Sequence, residues 1–252
     1  GQKAACRPYG YTNFYVDCAP FLRAGDNELR VIARNADQPN SRWYSGAGIY
    51  RPVTLWTAPA RHILPDGVQV RTLSIDPAEV EVTVQTTASG AVAVAILDDE
   101  QTVATAQAES NGKAVLRVQI PNAKLWSPDS PALYRCRAMF GDDCTETTFG
   151  VRTLSWGDDG FLLNGKRVIL LGACVHHDHG VLGACCYPEA EERKVRLLQK
   201  VGYNAVRCAH NPCSKAFLDA CDRLGMLVMD EYADMWYIHK TQYDYAGYLP
   251  DH

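Results

Sequence analysis

The stretch NAVRCAHNPCSKAFLDACDRLGMLVMDE, residues 204–231, decides the fold because two short apolar runs enclose a helix-like segment. The first and last runs have the length and composition of buried strands. Between them, Ser214 is a suitable N-cap for a helix over 214–225, and Gly225 is a suitable end. A strand, a helix and a strand in immediate succession predict parallel strands joined by a crossover helix.

The preceding segment continues this alternation. KRVILLGACV (166–175) has the apolar centre of a strand. PEAEERKVRLLQKVG (188–202) has the features of a helix, since Pro188 suits a first turn, acidic residues follow it and Gly202 can end it. The order strand–helix–strand–helix–strand predicts a parallel sheet. Ligands of such sheets bind at the carboxyl ends of the strands.

All three predicted strands end in polar, ionisable side chains, and these ends should lie on one rim. We therefore predict a binding site there. The residues concerned are His176, His177, Asp178 and His179 after the first strand, Arg207, His210 and Asn211 on the second, and Asp230 and Glu231 on the third.

Each of these residues also has a structural interpretation. Arg207 could form a salt bridge with Asp230 or Glu231 instead of holding a carboxylate or hydroxyl of a ligand. His210 could cap the following turn, and Asn211 could simply be a residue that favours a turn before Pro212. Asp230 and Glu231 are adjacent and so point to opposite faces of a strand, which leaves one of them for the site.

Two further groups have more than one interpretation. His177 and His179 share a face of an extended chain, and such a pair at the end of a first barrel strand can bind zinc in metal-dependent hydrolases. The alternative is that one histidine enters the site while the others face loops. Trp43, Trp126 and Trp236 are core or interface residues, or platforms for a sugar ring.

Before about residue 155 the sequence predicts only strands. Those from about 62 to 150 are expected to form one sandwich of immunoglobulin-like size. The earlier strands are too few for a closed domain and are interpreted as the end of another sandwich. The predicted early strands are 12–22 and 28–35, which form a hairpin, and 48–58.

Composition narrows the class of protein. The 252 residues are 47% hydrophobic and 21% charged, as in globular proteins of one to three domains. The net charge of −4 without a basic stripe argues against nucleic acid, and no apolar run approaches the ~20 residues of a membrane helix. The ten cysteines include no C-x-x-C pair, which weakens the case for structural zinc and favours reduced thiols in a reducing compartment. Cytoplasm and periplasm both stay open.

Several segments together resemble glycoside hydrolase family 2, the β-galactosidase and β-glucuronidase group. Within this group the sequence most resembles bacterial β-galactosidases. The segments concerned are HHDHG (176–180) and DQPNSRWYSGAGIYRPV (37–53). The segments that carry the resemblance are SGAGIYRPVTLW (45–56), LWSPDSPALY (125–134), FGVRTL (149–154), GFLLNGKRVILLGACVHHD (160–178) and residues 204–231.

The resemblance implies a multidomain fold. It places part of a jelly-roll β-sandwich over 1–60, an immunoglobulin-like β-sandwich over 61–152, and the first three βα units of a (β/α)8 TIM barrel over 153–252. The sequence is accordingly expected to be an internal piece of a longer enzyme, truncated at both ends.

The resemblance also implies roles for single residues. Arg207 and His210 match residues that line the galactoside subsite, and His176 matches a histidine that contacts the sugar. Asp37 matches a jelly-roll aspartate that reaches the sugar hydroxyls, and Asn211 stands where the family often has tyrosine. The residues expected at the periphery of the site are Asp178, Asp230, Glu231 and Trp236.

The chemistry implied is that of a retaining exo-β-glycosidase, above all a β-galactosidase, with two glutamates about 5–5.5 Å apart as acid/base and nucleophile. The acid/base follows an asparagine at the end of the fourth barrel strand, whereas Asn27-Glu28 belongs to the predicted hairpin. Both glutamates are therefore expected beyond His252, and the chain is expected to bind a sugar without cleaving it.

Two other functions remain open at this point: a non-catalytic carbohydrate-binding or pseudoenzyme module, and β-glucuronidase-type specificity. The resemblance implies no cofactor for this piece, although the full enzyme can use Mg²⁺ or Na⁺. It also implies a homo-oligomer, with neither nucleic acid nor membrane as a partner.

Overall fold

The computed structural model describes residues 1–43, 45–235 and 237–247. The α-helices are α1 (Pro188–Lys200) and α2 (Lys215–Leu224), and neither they nor the short 3₁₀ turns of the described ranges have the length and apolar character needed to cross a bilayer. The 3₁₀ turns are Ala19–Phe21, Gly180–Leu182 and Tyr245–Gly247. The strands are β1 (Ile63–Ile75), β2 (Ala78–Asp98), β3 (Gln101–Gln119), β4 (Trp126–Ser127), β5 (Ser130–Pro131), β6 (Tyr134–Phe140), β7 (Asp143–Phe149), β8 (Leu154–Gly157), β9 (Gly160–Leu163), β10 (Lys166–Arg167), β11 (Gly172–Val175), β12 (Ala205–Cys208) and β13 (Leu227–Asp230).

The antiparallel sheet of β1, β2, β3, β6 and β7 encloses one apolar core. The long strand β2 pairs with β1 and β3 along its first half, and with β3 and β6 along its second half. Val80, Val82 and Val84 all point into the core, as the two-residue period of a strand requires. Strand β1 also packs against β7 without pairing with it in a backbone ladder, and the Ile63 N–H donates to the Asp143 carboxylate at 2.7 Å, so the two ends of the sheet face each other.

Residues 1–62 contain no β-strand in the part that the structure describes. This corrects the strands predicted for 12–22, 28–35 and 48–58. A strand is stabilised by hydrogen bonds to a neighbouring strand, and within the described ranges these segments pair with none. Their apolar side chains consequently stay accessible, as Leu55 does at 82% exposure.

The strand–helix alternation predicted for the C-terminal part is confirmed. Strands β11, β12 and β13 are parallel and adjacent in that order. Helices α1 and α2 cover one face of this sheet and bury Val195 and Phe217 against it. Helix α2 has Ser214 as its N-cap, because the Ser214 hydroxyl accepts from the Phe217 N–H, and it ends at Gly225 in the left-handed region.

The strand predicted over 166–175 is divided into β10 and β11, which is a second correction. The side chain of Asn204 takes the place of a neighbouring strand between them. It accepts from the Leu171 N–H at 2.8 Å and donates to the Ile169 carbonyl at 2.9 Å. Because these backbone groups bond to a side chain, the parallel ladder begins only at β11.

Trp126 connects the antiparallel sheet to the parallel unit. Its side chain is fully buried in a small cluster with Leu163 and Leu227. The indole N–H donates to the Asp222 carbonyl in α2 at 2.8 Å. Gly150 lies directly against it, since a Cβ at that position would come within 2.7 Å of the Trp126 side chain.

Replacing Trp126 with alanine is expected to destabilise the chain by about 3–5 kcal/mol, because it empties a fully buried site and leaves the Asp222 carbonyl without its donor. The free energy of unfolding would be measured by urea denaturation followed by circular dichroism. Trp156→Ala is the matched control, since Trp156 is 80% exposed and its loss should change stability by less than about 0.5 kcal/mol. Equal losses in both variants would contradict this role.

Candidate functional site: the rim of the parallel sheet

The carboxyl ends of β11, β12 and β13 bring together side chains that the sequence predicted to share a rim. Arg207 lies in β12, in register with Cys174 of β11 and Met229 of β13. The His176 ring, after β11, lies 5.5 Å from the His210 ring. The His176 Nδ1 also lies 2.7 Å from the Ala209 carbonyl oxygen, which orients this imidazole.

Arg207 forms an ion pair with Glu231. The salt bridge that was the structural alternative for Arg207 is therefore present. It does not bury the arginine, whose side chain is 52% exposed. Because Val206 and Cys208 pack against the helices, Arg207 lies on the opposite, uncovered face of the sheet.

His210 lies between an indole ring and two carboxylates. Its ring stacks on Trp43 with 4.7 Å between centroids and 19° between planes. Its Nδ1 is 3.7 Å from the Glu231 carboxylate and 3.5 Å from the Asp234 carboxylate. This nitrogen is buried and forms no hydrogen bond to another group in the described part of the chain.

Asp234 belongs to the rim, although sequence reasoning missed it. Arg42 donates to both of its carboxylate oxygens, at 3.0 and 2.9 Å, and the Lys240 ammonium lies 3.0 Å away. Burial acts to raise the pKa of Asp234, but the hydrogen bonds from Lys240 and Arg42 lower it overall. Its position three residues after Glu231 was a local signal, whereas its partner Arg42 is 192 residues away.

The segment before the antiparallel sheet therefore reaches the rim. Trp43 and Arg42 make the contacts just described, and the Arg51 guanidinium donates to the Pro212 carbonyl. Asp37, which was predicted to reach a sugar from this segment, is exposed. It forms no hydrogen bond or ion pair with the rim within the described ranges, so its role stays a prediction.

Asn211, which is buried, and His177, which is partly buried, form a pair behind the rim. The Asn211 Oδ1 lies 2.6 Å from the His177 Nε2, and the Arg51 guanidinium lies 3.4 Å from the same nitrogen. Burial lowers the pKa of His177 more than the hydrogen bond with Asn211 raises it. His177 is thus held as a neutral imidazole, and the predicted contact of Asn211 with a sugar stays a prediction.

His179 and His177 have different partners and do not form a common metal site. Its Nε2 lies 3.2 Å from the buried Glu191 carboxylate, which also accepts from the Ser214 hydroxyl at 2.7 Å. Among the described residues, no group of three donors close enough to hold an ion includes either histidine. The zinc alternative for this pair therefore lacks a ligand set.

The remaining predicted residues occupy different positions. Asp230 and Glu231 point to opposite sides of β13, as expected of neighbours on a strand, because Glu231 pairs with Arg207 while Asp230 accepts from the Cys213 N–H at 3.1 Å. Asp178 is exposed beside the rim. Trp236 lies outside the described residues.

A cluster of tyrosines borders the rim and was also missed. The Tyr9 ring packs edge-on against Tyr245 and Tyr11, with centroids 4.9 and 5.5 Å away. The Tyr9 hydroxyl donates to the Tyr232 carbonyl at 2.5 Å, just after Glu231. No local pattern connects residues so distant in sequence, so the cluster could not be predicted.

Comparison with known proteins identifies the family. The model for "Glycosyl hydrolases family 2" matches residues 65–152, and the one for "Glycosyl hydrolases family 2, TIM barrel domain" matches residues 155–242. The chain belongs to glycosyl hydrolase family 2. The parallel strands β11, β12 and β13 accordingly lie in the part matched to the family's TIM barrel.

Individual relatives are much longer than this chain. It is 37% identical to a β-galactosidase from Bacteroides ovatus, over 99% of this chain and 32% of that protein. It is 34% identical to a putative β-glucuronidase from Formosa agariphila, over 98% of this chain and 25% of that one. A solved family 2 structure from Bacteroides cellulosilyticus superimposes with a TM-score of 0.80 and 37% identity, over 96% of this chain and 34% of its own. The chain thus spans between a quarter and about a third of their length.

In an NMR pH titration, the His177 midpoint in the folded chain is expected below that of the same histidine in the urea-unfolded chain. Because the fold favours the neutral imidazole, stability is retained above the unfolded pKa of about 6.5 and is lost as pH falls toward the folded pKa. Asn211→Ala removes the hydrogen bond that raises the pKa of His177, so the His177 midpoint in this variant should fall further. An upward shift in that variant would contradict the pairing.

Proposed function

We propose that Arg207, His210 and Trp43 hold the terminal sugar of a β-glycoside in a family 2 glycosidase. The observation that carries this proposal is the indole of Trp43 stacked on His210, next to charged groups on the same rim. A pyranose presents an apolar ring face together with hydroxyls in fixed directions. An aromatic surface beside oriented donors and acceptors matches both features.

The hydrogen-bonding character of the rim supports this assignment. A sugar hydroxyl both donates and accepts, and the rim offers Arg207 as a donor with Glu231 and Asp234 as acceptors. The half-exposed Arg207 retains N–H groups that a ligand can reach. Ion pairs already hold these groups in place, which lowers the cost of ordering them on binding.

For the sugar itself we propose a terminal β-galactoside. The Bacteroides ovatus relative is named a β-galactosidase, whereas the Formosa agariphila relatives are named putative β-glucuronidases, so a glucuronide is the second candidate. A glucuronate would need a cation for its carboxylate. Arg207, Arg42 and Lys240 each already face a carboxylate of the protein, which favours a neutral sugar.

We infer that hydrolysis requires residues outside this chain. A retaining mechanism needs a nucleophile and a general acid, about 5–5.5 Å apart, and the acid must have a raised pKa. Asp234 has a lowered pKa because of Lys240 and Arg42, which outweigh its burial, and Glu231 is paired with Arg207. A lowered pKa does not suit Asp234 to proton donation, in agreement with the resemblance, which puts both catalytic glutamates beyond this sequence.

We also propose the domain division 1–60, 61–152 and 153–252. The two matched ranges meet near residue 153, and the strands β1 to β7 fall within the second part, in keeping with an immunoglobulin-like sandwich. As the closing part of a jelly roll, the first part would find neighbours for its strands in the rest of that domain. The third part would hold the first three βα units of the barrel.

Methyl β-galactoside is expected to bind the chain at the rim, measured by isothermal titration calorimetry. Arg207→Ala should weaken binding about tenfold or more, since a hydrogen bond to a charged group contributes about 1.5–3 kcal/mol. Trp43→Ala should weaken it up to about tenfold, because the aromatic surface that stacks on His210 is lost. Arg71→Ala is the control, because Arg71 pairs with Glu81 on the antiparallel sheet and should leave the Kd unchanged.

Two results would count against this assignment. Unchanged binding in both rim variants would contradict the location. Tighter binding of methyl β-glucuronide than of the galactoside would contradict the choice of sugar.

The chain alone is expected not to hydrolyse an aryl β-galactoside, measured as release of the phenol over time. The physical reason is that the described part of the rim offers no pair of carboxylates suited to act as nucleophile and general acid. Glu231→Gln is the diagnostic variant, because Glu231 is the carboxylate paired with Arg207 at the rim. Hydrolysis by the unmodified chain that this variant abolishes would show that the chain carries its own catalytic carboxylate.

A further inference from the structure

Cys208, Cys213 and Asp230 form a cluster that the proposed sugar site does not use. The two sulfur atoms and a carboxylate oxygen all lie within 4.8 Å of one another. Within the described ranges this is the one group of three such donors that comes so close. Cys208 is 2% exposed, whereas Cys213 and Asp230 lie nearer to the surface.

The cluster lies behind the rim, on the helix-covered side of the sheet. Strand alternation places Arg207 on the uncovered face of β12 and Cys208 against the helices. In the same way Glu231 pairs with Arg207, while Asp230 accepts from the Cys213 N–H at 3.1 Å. Cys213 comes from the loop between β12 and α2, so three separate segments meet here.

We propose that Cys208, Cys213 and Asp230 bind a divalent cation of the zinc class. Two sulfurs and one carboxylate suit a borderline-soft ion and leave a fourth tetrahedral position for water. Four residues separate the cysteines, which is within the usual spacing of zinc ligands. Tetrahedral zinc holds its ligand atoms about 3.5–3.8 Å apart, so no pair in the cluster would need to approach by more than about 1 Å.

Binding would exchange two thiol protons for the cation. The hydrogen bond with Cys208 and burial raise the pKa of the Cys213 thiol. Zinc binds thiolates, and both protons would therefore leave to solvent when the ion binds. Asp230 would contribute its charge as well as its oxygen.

The bound cation would stabilise the rim by cross-linking the segments that carry it, on the helix-covered side of the sheet. It would join the end of β12, the end of β13 and the loop that precedes α2. Each ligand is close in sequence to a rim residue: Cys208 follows Arg207, Cys213 is three residues after His210, and Asp230 precedes Glu231. The site therefore stands independently of the sugar but would affect how firmly the sugar-binding residues are positioned.

The experiment is a Co²⁺ titration of the reduced 252-residue chain after removal of metal with a chelator. One equivalent is expected to produce thiolate-to-cobalt charge-transfer absorption together with the ligand-field bands of a tetrahedral ion. Added Zn²⁺ should remove both signals, because zinc binds sulfur-containing tetrahedral sites more tightly than cobalt. Absence of charge-transfer absorption in the unmodified chain would overturn the proposal.

Three variants locate the site. Cys213→Ser should weaken Co²⁺ binding more than about 100-fold, beyond the effect of losing an outer partner of a ligand. Asp230→Asn keeps an oxygen for the Cys213 N–H but removes the charge, so charge-transfer absorption should persist at lower affinity. Cys144→Ser, which changes an exposed thiol in β7, should bind as the unmodified chain does.

Charge-transfer absorption of full intensity in Cys213→Ser would overturn the assignment. Alkylation of the unmodified chain, followed by mass spectrometry, tests the site without any variant. Zn²⁺ is expected to protect Cys213, the less buried of the two cysteines, and to leave Cys144 reactive. Equal modification of Cys213 with and without Zn²⁺ would show that the pair are plain thiols and would overturn the site.

Discussion

Parallel pairing of β12 with its two neighbours is the constraint on which both proposed sites depend. Backbone hydrogen bonds hold Arg207 in register between Cys174 and Met229, while the two helices supply the apolar cover that a parallel sheet requires. Alternation then separates Arg207 on the uncovered face from Cys208 on the helix side. A shift of one residue would exchange these faces, so the register itself determines which side chains a ligand can reach.

Each charged group of the rim faces a group of opposite charge before any ligand binds. Asp234 is surrounded by Arg42 and Lys240, Glu231 pairs with Arg207, and His210 lies within 4 Å of both carboxylates. Such an arrangement holds donors and acceptors in fixed directions and spares the cost of reorganising them around a ligand. A neutral sugar can exchange hydrogen bonds with this network without disturbing its net charge, whereas an anionic sugar would compete with the protein's own carboxylates.

Local signals predicted the C-terminal elements because those elements depend on local bonds. Ser214 caps α2 and Gly225 ends it, each through contacts within a few residues. The same method failed for residues 1–62, since apolar alternation indicates a suitable strand but does not show whether a neighbour exists to pair with it. It also failed at 168–171, where one amide side chain, that of Asn204, replaces the ladder.

The site shows the same division between local and distant information. Arg207 and Glu231 were found because they mark strand ends, but Trp43 and Arg42 contact the rim across more than 160 residues, which no spacing reveals. The segment that carries them has no strand among its described residues, yet planar groups position it by stacking, by a forked ion pair and by the bond from Arg51 to a backbone carbonyl. The sheet thus contributes the charged donors, while the segment before the antiparallel sheet contributes the aromatic surface, and neither part alone would form the proposed sugar site.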